Sequence, residues 1–149
     1  MEIAAPDIVI RPLEDTDIGA IVELDERLGG EYRPAVWEAR IGYYLRRDPE
    51  MSAVAEVGGK LVGFMLGEVR AGEFGLDEPA GWVEVVGVDP AFRGMALGRR
   101  LAETLFQRFR DRGARRVRTL VHEGVEDVAG FFASLGFRPE PLQPLYREL

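Results

Sequence analysis

The chain has 149 residues, 46% of them hydrophobic and 30% charged, with a formal net charge of −7. This fits one globular domain, residues 1–149, with a sizeable core. It has no cysteine and one histidine, His122, which excludes disulfides, a thiol nucleophile, a cysteine metal site and a multi-histidine metal site. No nucleic-acid partner is expected, because such binding needs a broad basic footprint. No membrane partner is expected either, since no stretch approaches the roughly 20 apolar residues of a span. Met1 to Pro6 lacks a basic region followed by an apolar one, so no signal peptide is expected. The expected location is the cytoplasm. The acidity suits a cationic substrate such as an amine, or solubility alone.

Ile8 to Pro12 alternates apolar and polar and predicts a first strand. Glu14 to Leu28 carries Ile18, Ile21, Val22 and Leu24 at helical spacing, with Asp15 or Thr16 as cap and Gly29-Gly30 as stop. A second helix is predicted from about Pro34 to Arg46, with Trp37, Ile41 and Tyr44 on one side. Ser52 to Val57 and Lys60 to Val69 are rich in strand formers, and Gly58-Gly59 between them signals a hairpin. Residues 71–80 form a loop, and Gly81 to Val88 is a valine-rich strand that Pro90 breaks. Leu97, Leu101, Leu105 and Phe109 recur every four residues in a helix from about Ala96 to Arg112, which Gly113 ends. Arg116 to His122 reads as a strand, Val125 to Leu135 as a helix stopped by Gly136, and part of Phe137 to Leu149 as a last strand. Hairpins come first and a β-α-β-α-β run second. That order predicts an α/β (α+β) fold with a mixed sheet covered by helices. The crossover between the strands at 81–88 and 116–122 is predicted to be parallel and right-handed.

The segment that carries chemistry is Val86-Gly-Val-Asp-Pro-Ala-Phe-Arg-Gly-Met-Ala-Leu-Gly-Arg-Arg-Leu101. A strand ends, a short loop turns and a helix begins. The first four N–H groups of a helix lack internal partners. With the helix dipole they make an anion site suited to a diphosphate. Gly94 and Gly98 let phosphate oxygens approach the backbone, and Arg93 and Arg99 add positive charge. Nine arginines crowd residues 93–118 of an otherwise acidic chain, which marks a small polyanion site or the exposed face of one helix. The stretch is not a Walker loop, having no Gly-Lys-Ser/Thr, and not a dinucleotide fingerprint.

The run from Val86 to Leu101 resembles the acetyl-CoA-binding motif of the GNAT superfamily, Val-x-Pro-x-x-Arg-Gly-x-Gly-x-Gly. Phe131-Phe132-Ala-Ser-Leu-Gly-Phe137 resembles the superfamily's Phe-Tyr-x-x-Leu-Gly-Phe. The resemblance implies a mostly antiparallel central sheet with a splayed parallel strand pair, flanked by helices. It also implies an N-acetyltransferase with acetyl-CoA as co-substrate and no metal. An amine-bearing small molecule or protein would be the acceptor, and a homodimer is possible. Val86, Gly87 and Val88 would pair with the pantetheine arm. Arg93, Gly94, Met95, Ala96, Leu97, Gly98 and Arg99 would hold the diphosphate. A backbone N–H near Val86 or Val88 would polarise the thioester carbonyl.

Three positions depart from the family pattern. Ala96 stands where a glycine is expected, which a helix start tolerates if φ is negative. Phe132 stands where many members have a tyrosine that protonates the leaving thiolate; Tyr146 or water could serve instead. Val125 stands where an asparagine is expected. These departures motivate an alternative, a non-catalytic CoA- or acyl-CoA-binding sensor. A lysine-like amine costs ~4–5 kcal/mol to neutralise near pH 7, and an α-amine about 1 kcal/mol. A base is therefore useful. Glu84 is the leading candidate, and His122 and Glu123 are the others. For the acceptor, the resemblance points to residues 25–44 and 71–80. There Glu26, Glu31, Tyr32, Trp37, Tyr43, Glu73 and Asp77 would give an acidic, aromatic pocket, unless the aromatic residues are core.

Overall fold

The computed structural model describes residues 7–93, 96–124 and 126–149. The chain divides into two compact units, one up to Thr119 and one from Leu120 on. The first holds β1 (Ile8–Pro12), α1 (Ile18–Gly29), α2 (Pro34–Arg47), β2 (Ala53–Val57), β3 (Lys60–Arg70), β4 (Ala80–Val88), α3 (Leu97–Asp111) and β5 (Arg116–Arg118). The sheet runs in chain order, β1 to β5. The first four strands are antiparallel, and β5 joins β4 in parallel.

The hydrophobic spacing decides what covers each face. Ile21 and Leu24 of α1, Trp37, Ile41 and Tyr44 of α2, and Phe64 and Leu66 of β3 form one core. The Trp37 ring meets Phe64 edge-on at 5.5 Å, and its indole N–H donates to Asp25 at 2.8 Å. Trp37 is thus core, not pocket lining. Along α3, Leu97, Leu101, Leu105 and Phe109 are all buried, and α3 packs on β2, β3 and β4. Each such side chain contributes about 2 kcal/mol by burial.

Turns and caps follow the local chemistry. Gly58 and Gly59 both take positive φ, 59° and 78°, as the two-residue hairpin requires. The start of α1 differs from expectation. A 3-10 turn at Asp15–Asp17 precedes it, and neither Asp15 nor Thr16 caps it. Instead buried Asp17 accepts the Glu14 N–H at 2.8 Å and a two-pronged bond from Arg11 at 2.7 and 2.8 Å. Arg11 also grips Glu56, which ties β1 to β2 and to the turn.

Two strand expectations are corrected. The strand expected over 116–122 ends at Arg118 after three paired residues, and the Thr119 hydroxyl then donates to the Val83 carbonyl at 2.7 Å. A side chain has taken the place of the next ladder bond. No strand forms over 137–149 among the described residues, because Pro139, Pro141 and Pro144 remove N–H donors at short intervals. The second unit instead holds one helix, α4 (Glu126–Ser134), and a cluster of Phe131, Phe132 and Phe137 rings spaced 5.1–5.2 Å. Among the described residues no helix is long and apolar enough to cross a membrane.

Gly81 marks the closest approach of β4 and α3. A Cβ there would lie 2.3 Å from the Phe109 ring. Gly81→Ala is expected to destabilise the fold by about 1–3 kcal/mol through overpacking, read from urea midpoints. Adding Phe109→Leu should recover part of that loss. An unchanged midpoint in the single variant would refute so tight an approach.

Candidate functional site

The site starts from one irregularity. In the β3–β4 ladder Leu66 faces Val85 and Gly67 faces Val83, so Glu84 is an extra residue, a β-bulge. A bulge bends its strand and re-aims the side chain it carries. The Glu84 side chain is about one-third exposed and ion-paired to Arg70 of β3. Burial, then the charge of Glu84, push the phenol of Tyr44 on α2 up, so it stays protonated at neutral pH. A groove of about 420 Å³ opens here, lined by Val36, Ala39, Arg40, Tyr43, Tyr44 and Glu84.

Past the bulge, β4 continues to Val88 with β3 on one side, while β5 has paired only as far as Trp82. The Asp89 N–H donates to Val62 of β3 at 2.8 Å. Ladder alternation then turns the N–H and C=O of Val86 and Val88 toward the opposite edge, and those of Gly87 toward β3. Buried Asp89 accepts from the Ala91 N–H at 3.0 Å and pairs with Arg27 of α1 at 3.0 Å. That fixes the turn at Pro90–Phe92 and aims the chain toward α3.

At the start of α3, Ala96 sits at the N-cap with no side-chain cap. Its carbonyl takes the Arg100 N–H at 3.0 Å. The amides of Leu97, Gly98 and Arg99 precede the first such bond and have no carbonyl one turn back within the helix. The Leu97 side chain is buried, so only its backbone faces outward. Arg93 and Arg99 are exposed, and Arg99 pairs with Glu103 at 3.5 Å. Gly94 and Met95 lie outside the described residues, as does Val125.

The condition set for alanine at position 96 is not met. Its φ is +57°, the left-handed region that glycine adopts freely and alanine does not.

The expected acceptor pocket also differs. Of its named residues only Tyr43 lines the groove beside Glu84, and Arg40 makes that groove mixed in charge. A larger cavity of about 720 Å³ holds Tyr43 and Glu73 with Arg47, Arg70 and Arg112 facing Asp48 and Glu68. Tyr32 is exposed. Glu68 and Arg70 were not expected; their signal is charge at alternate positions of an otherwise apolar strand, on the face of Phe64 and Leu66.

His122 and Glu123 lie in the second unit, past the end of β5 and not on a strand. His122 Nδ1 is 2.7 Å from the Glu123 carbonyl oxygen, and both residues are exposed. Phe132 is buried among Phe131 and Phe137. Tyr146 is 91% exposed.

The acetyltransferase (GNAT) family pattern matches residues 19–137. The chain belongs to this family. A mycothiol acetyltransferase of Thermobispora bispora is 40% identical over 100 residues, 67% of this chain and 34% of that protein. The chain thus spans about a third of the length of the mycothiol acetyltransferases it matches. An acetyltransferase of Pectobacterium atrosepticum is 31% identical over 131 residues, 86% of each chain. Aminoglycoside N-acetyltransferase AAC(6')-Iy, solved with CoA, superposes with a TM-score of 0.83 at 20% identity over 99% of each chain, a likeness of fold.

A left-handed alanine costs ~1–2 kcal/mol, and a glycine's extra freedom in the unfolded chain returns only about 0.4–1 kcal/mol. Ala96→Gly is therefore expected to stabilise the GNAT fold by roughly 0.5–1 kcal/mol. The thermal midpoint checks this, and a lowered midpoint would contradict the conformation at Ala96.

Proposed function

We propose that this chain is an N-acetyltransferase that moves an acetyl group from acetyl-CoA to a primary amine by direct attack. One observation carries the reading: a strand edge without a strand partner beyond Val83 leads through a pinned turn into a helix start with no side-chain cap. Those two features fit the two ends of CoA. The outward groups of Val86 and Val88 suit the amides of the pantetheine arm. The amides of Leu97, Gly98 and Arg99, with Arg93, suit its diphosphate. The family match runs from 19 to 137 and so crosses the division between the two units, which supports reading residues 1–149 as one domain.

When bound, acetyl-CoA supplies a thioester. The chain's part is to hold the acceptor, take a proton and stabilise charge. In this reading the acceptor ammonium enters the groove along α2 and loses a proton to Glu84, directly or through a water. The amine nitrogen then bonds to the carbonyl carbon, whose oxygen is met by an outward N–H of Val86 or Val88. The carbon–sulfur bond breaks, the thiolate leaves, and the nitrogen loses its second proton to solvent, giving the neutral amide. Phe132 has no proton to give, so the thiolate takes one from solvent; with a pKa of about 8.5 a thiol leaves well as the anion. His122 and Glu123 are the weaker candidates for the base, because Glu84 lies on the bulge and lines the groove. A mycothiol acetyltransferase among the relatives supports acetyl transfer. The lack of cysteine fits a cytoplasmic setting.

The burial of Phe132 among phenylalanine rings favours a second reading, an acyl-CoA sensor without turnover. Turnover with any member of an amine panel removes it.

Calorimetric titration is expected to give micromolar binding of acetyl-CoA; no binding at millimolar concentration would sink both readings. Glu84→Gln is expected to lower kcat about 10²–10⁴-fold with acetyl-CoA affinity unchanged. Unchanged turnover would remove Glu84 from the base role and move the search to His122→Gln and Glu123→Gln.

A further inference from the structure

We propose that Arg70 is the positioning residue of Glu84: held by Glu68 and by the Trp82 ring, its guanidinium fixes the Glu84 carboxylate in the wall of the groove. The inference rests on the reading of Glu84 as the base.

Glu68 is the anchor. It is a charged residue only 3% exposed, on β3. Tyr43 donates its hydroxyl to both carboxylate oxygens, at 2.8 and 3.0 Å. Arg47 adds an ion pair at 3.3 Å, and Arg70 bonds it through Nε. A buried carboxylate persists only with partners of this kind, so Glu68 fixes whatever it binds.

Arg70 is fixed at three points. Its Nε is on Glu68 and its Nη2 on Glu84, and its plane lies over the Trp82 ring at 5.1 Å. A guanidinium so held has one orientation left, and it presents a single N–H edge to Glu84. Tyr44 of α2 lines the groove beside the same carboxylate. Arg40 and Tyr43 are the other charged or titratable groups lining the groove, and Glu68 and Arg47 act through Arg70.

Stability does not explain the Arg70–Glu84 pair. Its side chains are 25% and 35% exposed, and ion pairs that reach solvent contribute little. What the pair does supply is geometry, on a bulge residue that the ladder itself leaves unpaired. A carboxylate misplaced by about 1 Å costs on the order of 10²-fold in rate.

Arg70→Met alone leaves buried Glu68 short of a partner and can unfold the chain. The test therefore uses the double variant Arg70→Met/Glu68→Gln, which removes the buried charge together with its cation. Three quantities are read: kcat, KM for the amine acceptor, and acetyl-CoA affinity. The positioning role predicts that the loss falls on kcat and not on KM for the amine acceptor. It also predicts a kcat drop of about 10²-fold with acetyl-CoA affinity unchanged. An undiminished kcat overturns the proposal, whatever happens to the melting point. A loss carried by KM for the acceptor alone overturns it as well. If Glu84→Gln is then also fully active, the failure lies in the reading of Glu84 as the base.

Discussion

A strand with only one strand neighbour leaves every second N–H and C=O unsatisfied by the sheet, and the rest of this site depends on that constraint. β4 enters the sheet between β3 and β5 and leaves it beside β3 alone. The change happens within two residues. Thr119 closes the parallel ladder on the Val83 carbonyl, and Glu84 bulges next. The outward groups of Val86 and Val88 follow, and Asp89 pins the turn into α3. Backbone donors of the strand and of the helix start are thereby strung along one run of fewer than twenty residues.

Much of this was legible from the residues, and what was missed has physical reasons. The four-residue spacing of Leu97, Leu101, Leu105 and Phe109 marks α3, and Gly58-Gly59 marks the hairpin, because both signals are local. The strand–loop–helix reading of Val86 to Leu101 is local in the same way, and β4, the turn at Pro90–Phe92 and α3 follow it. The bulge at Glu84 is a matter of register between two strands and has no local signature. The early end of β5 depends on a threonine hydroxyl meeting a carbonyl 36 residues away. The absence of a last strand is legible in Pro139, Pro141 and Pro144, which supply no N–H to a ladder. Ala96 shows the limit of reading a residue by type. Its backbone takes the left-handed conformation that glycine adopts freely and alanine does not, so the chain carries strain there.

The groove beside Glu84 is less acidic than the net charge of −7 suggests. Arg40 lines it with Glu84, and Tyr43 and Tyr44 bring two hydroxyls from the same turn of α2. Tyr44 is core by burial and still polar at its tip, which is why its helical spacing alone could not separate the two roles. An acceptor that settles here meets both signs of charge and an apolar wall of Val36 and Ala39.

The bulge has one more consequence, for how copies of the chain behave when crowded together. A bare strand edge is a template on which another polypeptide can lay down a strand, the first step toward aggregation. β4 carries its irregular, charged residue at the point where its strand partner is lost. A regular incoming strand cannot keep register past Glu84, and it would have to cover a carboxylate to try. The kink that aims a side chain at the groove also makes the edge a poor seed for a fibril.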